Sequence, residues 1–582
     1  MEHGFIKVAS ATPEIKVADI EYNLTKIKEL IVEANNEGVK LLVFPELCIT
    51  GYTCGDLFFQ KLLLDKSKEA IACITDFVAD FEMIVVVGLP LQVGESLYNC
   101  AAVIYKGKIL GIVPKTYIPD YSEFAEKRYF CKAPNENKKI SINGMDVDFG
   151  TNIIFSCDNF HEFSFAVEIG EDLWAPISPS SFHAINGANI IVNLSASNEI
   201  VGKEEYRQRL VMSTSSRLVC GYVFANSGSG ESTTDLVFAG NNLIAENGIL
   251  LNLGKSFENG LTISEIDVSK LTSERQKLNT FNNENENYKK IKFDMKKVEV
   301  SLTRFVTQLP FIPKQNSGFE KILDLQAQAL KKRLVHTKTE KVVVGISGGL
   351  DSTLALIACV RTMNLLDMPL TNIIAITMPC FGTSDRTKSN AYKLCTLLGV
   401  TLKEVDITNS VLSHFEDINH SGDTYDVTYE NAQARERTQV LMDFANMENA
   451  MVIGTGDLSE NALGWSTYNG DHMSMYGINS SVPKTLIRYI VNYYADNNCG
   501  DELKEVLKDI LDTPVSPELL PGKEIKQKTE DLVGPYELHD FFLYYVVRWN
   551  FEPTKVLRLA KYAFDGVYDE EIILKWLKSF YK

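Results

Sequence analysis

Five residues with chemical potential crowd into one short stretch: Ser347, Gly348, Gly349, Asp351 and Ser352. They follow a β-branched run, Val342–Ile346, and precede an apolar helical pattern. A strand, a glycine turn and a helix start present converging backbone N–H groups and a favourable dipole, which suits a phosphate. The G-x-x-x-x-G-K-[ST] pattern is not met, because no lysine precedes Ser352. A carboxylate at the mouth of such a nest repels bare phosphate, so Asp351 makes most sense holding Mg²⁺ shared with phosphates. The same residues also read as a plain glycine turn with Asp351 or Ser352 as N-cap. A second cluster starts at Thr455-Gly456, where Asp457 and Glu460 open another helical pattern. By spacing that pair is a capping box. Alternatively Asp351 and Glu460, from two strand ends, hold one metal ion.

The elements that must place these groups are legible as a coarse α/β pattern. In the second half, Val342–Ile346, Ile373–Met378 and Met451–Gly454 read as strands with helices between them, the rhythm of a doubly wound parallel sheet. The loop Gly382–Lys388 falls at the ligand-facing edge of that sheet. In the first half, helical stripes at Ile20–Asn35 and Lys61–Phe81 alternate with strands at Val39–Phe44 and Ile84–Leu89. A hairpin around Gly107 and strands at Ser164–Ile169, Ile190–Leu194, Tyr222–Asn226 and Leu236–Leu243 follow. The expected division is residues 1–268, a charged and Asn-rich connector at 269–318 draped over a surface, and residues 319–582.

Composition sets the limits. A chain of 582 residues exceeds one ordinary core, and 45% hydrophobic with 10% aromatic content is globular. A net charge of −18 argues against a general nucleic-acid or anionic-membrane surface, while leaving room for local basic pockets. The N-terminus lacks a signal-peptide layout and the longest apolar runs are strand-sized. Eleven cysteines without a C-x-x-C pair read as reduced thiols of a cytoplasmic protein, and no Cys/His cluster suggests zinc.

Longer strings narrow the chemistry. SGGLDS is similar to the pyrophosphate loop of ATP pyrophosphatases. With it stand YENAQARERTQ (Tyr429–Gln439), GTGDLSENALGW (Gly454–Trp465), TYNGDHMSMYGINSSVPKTLI (Thr467–Ile487) and TEDLVGPYELHDFFLY (Thr529–Tyr544). Together they resemble the synthetase domain of the bacterial glutamine-dependent NAD⁺ synthetases, across almost all of residues 319–582. The resemblance implies a Rossmann-like doubly wound sheet of the ATP pyrophosphatase type and an adenylating ligase. In that chemistry the nicotinate carboxylate of deamido-NAD⁺ attacks the α-phosphate of MgATP, and ammonia then displaces AMP. It implies that Ser347, Gly348, Gly349, Asp351, Ser352 and Thr455 bind ATP, and that Asp351 and Glu460 hold Mg²⁺. It also implies that Asn431, Glu460, Trp465, Ser466, Thr467, Tyr468 and Lys484 line the deamido-NAD⁺ site. Lys484 is expected at a phosphate, although an ordinary solvated lysine reads the same in sequence. A homo-oligomer is implied, as is a basic tail lending a lysine to the dinucleotide site; the sequence given ends at Lys582. Another pyrophosphate-loop amidotransferase is the runner-up.

Over residues 1–268 the chain resembles the nitrilase-type amidases, which implies an αββα sandwich and a Glu–Lys–Cys triad. Glu46 stands as general base and Lys115 as the oxyanion's partner. The nucleophile belongs in FAVEIGEDLW (Phe165–Trp174), where the family reads E-I-C-E-D-L-W and this chain has Gly170. Glycine forms no thioester. The glutamine-pocket positions Tyr52, Tyr121, Glu126, Glu171 and Ser197 are present, with Lys203 where some relatives carry arginine. An intact pocket around a missing nucleophile has two readings: a replacement that traps glutamine uncleaved, or a chain that has lost its glutaminase and uses free ammonia. An alternative of a different class makes the first domain a glutamine-binding or purely architectural module.

Overall fold

The computed structural model describes residues 2–232, 235–281, 287–382, 384–513 and 529–582. Thr383, in the expected ligand-facing loop, and residues 282–286 of the expected connector lie outside the described residues. The chain divides into two compact units, one ending at Phe305 and the other beginning at Val306.

The first unit is a four-layer αββα sandwich. One sheet runs, in spatial order, Gly260–Asp267, Phe5–Thr12, Leu41–Val43, Ile84–Val93, Ser96–Tyr105, Lys108–Pro114, Met145–Phe149 and Lys138–Ile142. The other runs Ile249–Leu253, Leu243–Glu246, Gly221–Asn226, Ile190–Ser195, Ser164–Ile169, Ile153–Cys157 and Lys289–Phe293. Most central strands are buried on both faces, which is why they read as continuous β-branched runs rather than alternations. The helices Ile20–Asn36 and Lys61–Phe77 cover the first sheet, their Ile27, Ile31, Ile71 and Ile74 packing with Leu42, Val85 and Val87. At Gly111 and Gly221 the two sheets come close enough that a Cβ would touch Phe155 or Ile266 of the opposite sheet.

Two expectations are corrected. The connector is not merely draped over the surface: it supplies the helix Val268–Gln276 and the strand Lys289–Phe293, which pairs in parallel with Ile153–Cys157. Its charged residues hid the strand because an edge strand buries little; only Phe293 is buried there. Leu236–Leu243 is not a strand either. Gly240 and Asn241 have φ of +77° and +58°, which leaves an isolated bridge from Gly240 to Ser256, and a ladder begins at Leu243–Glu246.

The second unit is a parallel sheet in the order Thr401–Glu404, Ile373–Thr377, Lys341–Gly345, Ala450–Gly454 and Tyr476–Gly477. Val342 and Val344 pack on one face with the helices Leu350–Leu365 and Lys484–Asn497; Val343 packs on the other with Val411, Phe415 and Tyr429. Strand order reverses between Lys341–Gly345 and Ala450–Gly454, and the crevice outside such a switch point is where a doubly wound sheet binds ligands.

Candidate active sites

In the first unit Glu46 follows the strand Leu41–Val43, and Lys115 follows Lys108–Pro114. Both are buried. The Lys115 ammonium donates to Glu46 Oε1 at 2.5 Å and to Glu126 Oε1 at 2.6 Å. Asn99 donates to Glu46 Oε1 at 2.6 Å, and the Ala196 N–H donates to Glu46 Oε2 at 3.1 Å. Tyr52 Oη donates to Glu126 Oε1 at 2.9 Å. Burial pushes the Glu46 carboxyl up to about 7 against the pull of Lys115. Burial also disfavours the Lys115 charge, but Glu126 and Glu46 outweigh it and hold its pKa above the usual range. The lysine is therefore a fixed cation between two carboxylates, suited to meeting an oxyanion rather than to giving up a proton.

The third position is a backbone elbow. The strand Ser164–Ile169 ends and turns at Gly170, whose φ is +47°. A Cβ on Gly170 would lie 2.5 Å from Glu46 Oε2 and 3.0 Å from Lys115 Nζ, so any side chain there would point at both groups. Asp172 pins the turn: Oδ2 accepts from the Ile169 N–H at 3.1 Å, and Oδ1 accepts from the Tyr117 N–H at 2.8 Å. These groups open on a cavity of about 250 Å³, lined among others by Glu46, Tyr52, Lys115, Tyr121, Glu126, Gly170, Glu171, Ser197 and Lys203. All nine positions expected from sequence in this half thus meet at one cavity, and no cysteine is among its described lining residues. Tyr121 donates to Glu171 at 2.9 Å, and the Ser197 N–H donates to Asn226 at 2.8 Å. Lys203 donates to Asn198, its ammonium 5.6 Å from the centres of the Phe124 and Trp174 rings.

Asn99 and Asp172 escaped the sequence reading. A signal for Asn99 was present, since an amide inside the apolar run Ser96–Tyr105 must find a buried partner. Asp172 gave none, because an acid in a turn is ordinarily solvated.

In the second unit the helix Leu350–Leu365 has Gly349 as its N-cap, and no side chain caps it. The capping account of Asp351 and Ser352 therefore does not hold. Ser352 Oγ instead closes the loop, donating to Gly349 O at 3.1 Å and lying 3.2 Å from Ser347 Oγ. Gly348 has φ +82°, and a Cβ there would come within 2.2 Å of the Thr387 carbonyl oxygen, so only glycine fits. Asp457 does cap its helix, accepting the Glu460 N–H at 2.8 Å. Glu460 does not complete a capping box; its carboxylate turns to Lys484.

Lys484 is buried, not solvated, and its ammonium sits among three carboxylates. It donates to Asp351 Oδ2 at 2.8 Å and Glu460 Oε1 at 2.7 Å, and lies 2.8 Å from Asp457 Oδ2. Burial opposes its charge, but Asp351, Glu460 and Asp457 together hold its pKa well above the usual range. Asp351, Asp457 and Glu460 bring ligand oxygens within 4.8 Å of one another. Asp351 Oδ1 is buried with no hydrogen-bond partner among the described residues. Burial, with Glu460 beside it, pushes the Asp457 carboxyl up to about 8, and burial with Asp351 nearby raises Glu460, so one ammonium does not keep all three ionised; the oxygen donor set fits a hard divalent cation such as Mg²⁺. Asp457, which by spacing reads only as a cap, is the third member of the cluster. Asn479 donates to the carbonyls of Asp351, at 2.9 Å, and Thr455, at 3.1 Å, tying the two strand ends together. Asp540 accepts from Ser459 Oγ and from the Thr485 N–H, and Ser459 Oγ accepts the Lys484 N–H.

The expected dinucleotide residues form a more open face. Thr467 Oγ1 donates to Asn431 Oδ1 at 2.7 Å, and Arg435 donates to the Tyr468 carbonyl at 3.1 Å. These bonds lay the stretch from Trp465 through Ser466 to Tyr468 along the helix Val427–Glu448, with Tyr468 exposed.

Comparison with known proteins gives two family matches in tandem: carbon-nitrogen hydrolase over residues 7–276 and NAD synthase over residues 322–573. The glutamine-dependent NAD(+) synthetase of Mycobacterium tuberculosis is 38% identical over 586 aligned residues, covering 97% of this chain and 86% of that protein. That of Aquifex aeolicus is 30% identical, covering 93% and 89%. A glutamine-dependent NAD(+) synthetase structure from Cytophaga hutchinsonii aligns over 99% of this chain and 92% of its own, with 21% identity and a TM-score of 0.41. With both family matches falling on the two units that hold these sites, the chain belongs to the glutamine-dependent NAD⁺ synthetase family.

Proposed function

We propose that this chain amidates deamido-NAD⁺ at the expense of ATP, and that it draws nitrogen from free ammonia because its glutaminase half has no nucleophile. The observation that carries the second part is Gly170: the elbow is built and aimed at Glu46 and Lys115, and carries only hydrogen. The residues ending at 268 are assigned to the glutaminase-like domain and those from 319 to the synthetase. The family match to NAD synthase favours this reaction over that of another pyrophosphate-loop amidotransferase.

In the synthetase half a carboxylate must become an electrophile. The nicotinate oxygen attacks the α-phosphate, the α–β bond breaks, and pyrophosphate leaves. The N–H groups and hydroxyls of Ser347, Gly348, Gly349 and Ser352, at a helix N-terminus, receive the charge that grows on that leaving group. A Mg²⁺ ion held by Asp351 and Glu460, with Asp457 beside them, would neutralise phosphate charge. Lys484 supplies a cation and Thr455 a contact to ATP. Asn431 and the stretch from Trp465 to Tyr468 hold the dinucleotide so that its nicotinate meets the phosphate in line. Ammonia then adds to the acyl carbon, a proton is lost to solvent, and AMP departs with the electron pair of the broken C–O bond.

In the glutaminase half Glu46 stands ready as a base and Lys115 as an oxyanion partner, with nothing to attack. The cavity is otherwise complete, which favours a glutamine-binding module that does not hydrolyse its ligand. Homo-oligomeric assembly and a cytoplasmic location, implied by the family resemblance, belong to the same proposal. No helix among the described residues is long and apolar enough to cross a membrane. Steady-state NAD⁺ formation with glutamine or with ammonium chloride tests the reading. Ammonium supports turnover and glutamine does not, while calorimetry detects glutamine bound without hydrolysis; equal rates with the two donors would sink the role given to Gly170.

A further inference from the structure

We propose that Lys484 is an internal counter-ion that closes the Asp351–Asp457–Glu460 cluster to bare divalent cations, yielding it only to a cation that arrives with a polyphosphate. The proposal rests on the reading of that cluster as the cation site.

The geometry makes the two occupants exclusive. One ammonium reaches an oxygen of each carboxylate, at 2.7 or 2.8 Å. Each carboxylate also offers an oxygen within 4.8 Å of the others', so an ion bound by all three would lie within a few ångström of the ammonium. Two cations that close repel one another where Lys484 is only 4% exposed and water screens its charge poorly. The cluster offers three carboxyl oxygens to a divalent ion, which it can take only if the ammonium leaves.

The backbone of Lys484 cannot leave. Its N–H is held by Ser459 Oγ at 2.8 Å, and Asp540 grips both Ser459 and the following Thr485. Pro483 precedes it as N-cap of a helix whose Leu486, Ile487 and Ile490 are packed in the core. Only the four-carbon stem can swing, past the Tyr536 ring whose centre is 5.5 Å from the ammonium. A swinging ammonium needs another anion to receive it. Asp351 is the second residue of the helix that begins at the Ser347–Gly349 nest, so a polyphosphate seated on that nest brings negative charge beside the cluster. Polyphosphate draws Lys484 off the carboxylates and the accompanying cation takes its place. Bare metal offers the ammonium no such partner. Lys484 thereby selects the metal–polyphosphate complex over the free metal.

The test is a titration of full-length protein with Mn²⁺, read by electron paramagnetic resonance, with and without inorganic pyrophosphate. Wild type is compared with Lys484→Met and with Lys484→Gln, which removes the charge but keeps polar contacts should the Met variant misfold; circular dichroism and melting confirm folding. Without pyrophosphate, both variants bind Mn²⁺ at least about tenfold more tightly than wild type. Pyrophosphate tightens Mn²⁺ binding to wild type far more than to either variant. Equal Mn²⁺ affinity of wild type and folded variants without pyrophosphate would overturn the counter-ion role alone. So would wild type binding bare Mn²⁺ as tightly as it does with pyrophosphate. Absence of Mn²⁺ binding to every protein under both conditions would instead overturn the cation site on which the proposal stands.

Discussion

A single missing side chain separates this chain from the triad its surroundings describe. Gly170 occupies a left-handed elbow, where an L-residue is strained by roughly 1–2 kcal/mol. A Cβ there also meets Glu46 Oε2 at 2.5 Å, so the carboxylate must move to admit a thiol. Gly170→Cys is therefore expected to restore glutamine-dependent NAD⁺ formation while lowering stability by about 1–3 kcal/mol, as measured by donor-specific turnover and chemical denaturation. A well-folded cysteine variant that leaves glutamine unused would count against the triad. The gap at Gly170 was legible in EIGEDLW, because a motif shows a substitution directly. What Lys484 does was not legible, because a lysine looks the same in sequence whether it faces water, a phosphate or three carboxylates.

Turns and strand ends carry both sites, and glycines set how closely these elements approach. Gly348 lets the loop lie against the Thr387 carbonyl, a backbone atom that cannot step aside. Gly348→Ala should cost about 2 kcal/mol or more in the second unit and weaken ATP binding; thermal melting and calorimetry with ATP check both. Strands that end at the sites were visible from their β-branched runs, since doubly buried strands need such residues along their whole length. Two elements were not visible. Lys289–Phe293 is an edge strand whose charged residues imitate a linker. Leu236–Leu243 looks like a strand but carries the Gly240–Asn241 break. Charge pairs fasten the end of the first unit: Arg304 donates to Glu246 at 2.8 Å, and the N–H groups of Thr303 and Arg304 donate to Glu265. Partners so distant in sequence leave no local signal.

For the molecule as a whole, the first unit buries carboxyls that prefer their protons. Burial pushes Glu46 and Asp172 up to about 7, and Glu231 up to about 8. The unfolded chain releases those protons at lower pH, so between the two values the folded state binds more protons and stability falls as pH rises. The Glu231 contribution is present below the ordinary glutamate range and is gone above pH about 8. Glu231 Oε2 accepts the Tyr52 N–H at 2.9 Å, a bond that a glutamine oxygen can keep. Glu231→Gln is therefore expected to raise stability at pH 8.5 by on the order of 1–3 kcal/mol and to change little at pH 4, as followed by denaturant melts across pH. A benefit that does not depend on pH would show that Glu231 is ionised throughout.

Whether the synthetase half draws its nitrogen past a glutaminase half that lacks a nucleophile is read by isotopic competition. The protein is given ATP, deamido-NAD⁺, glutamine labelled with ¹⁵N at the amide, and unlabelled ammonium together, and the NAD⁺ formed is weighed by mass spectrometry. The NAD⁺ formed is expected to carry an unlabelled amide nitrogen; ¹⁵N in that amide would mean that Gly170 does not silence glutamine cleavage.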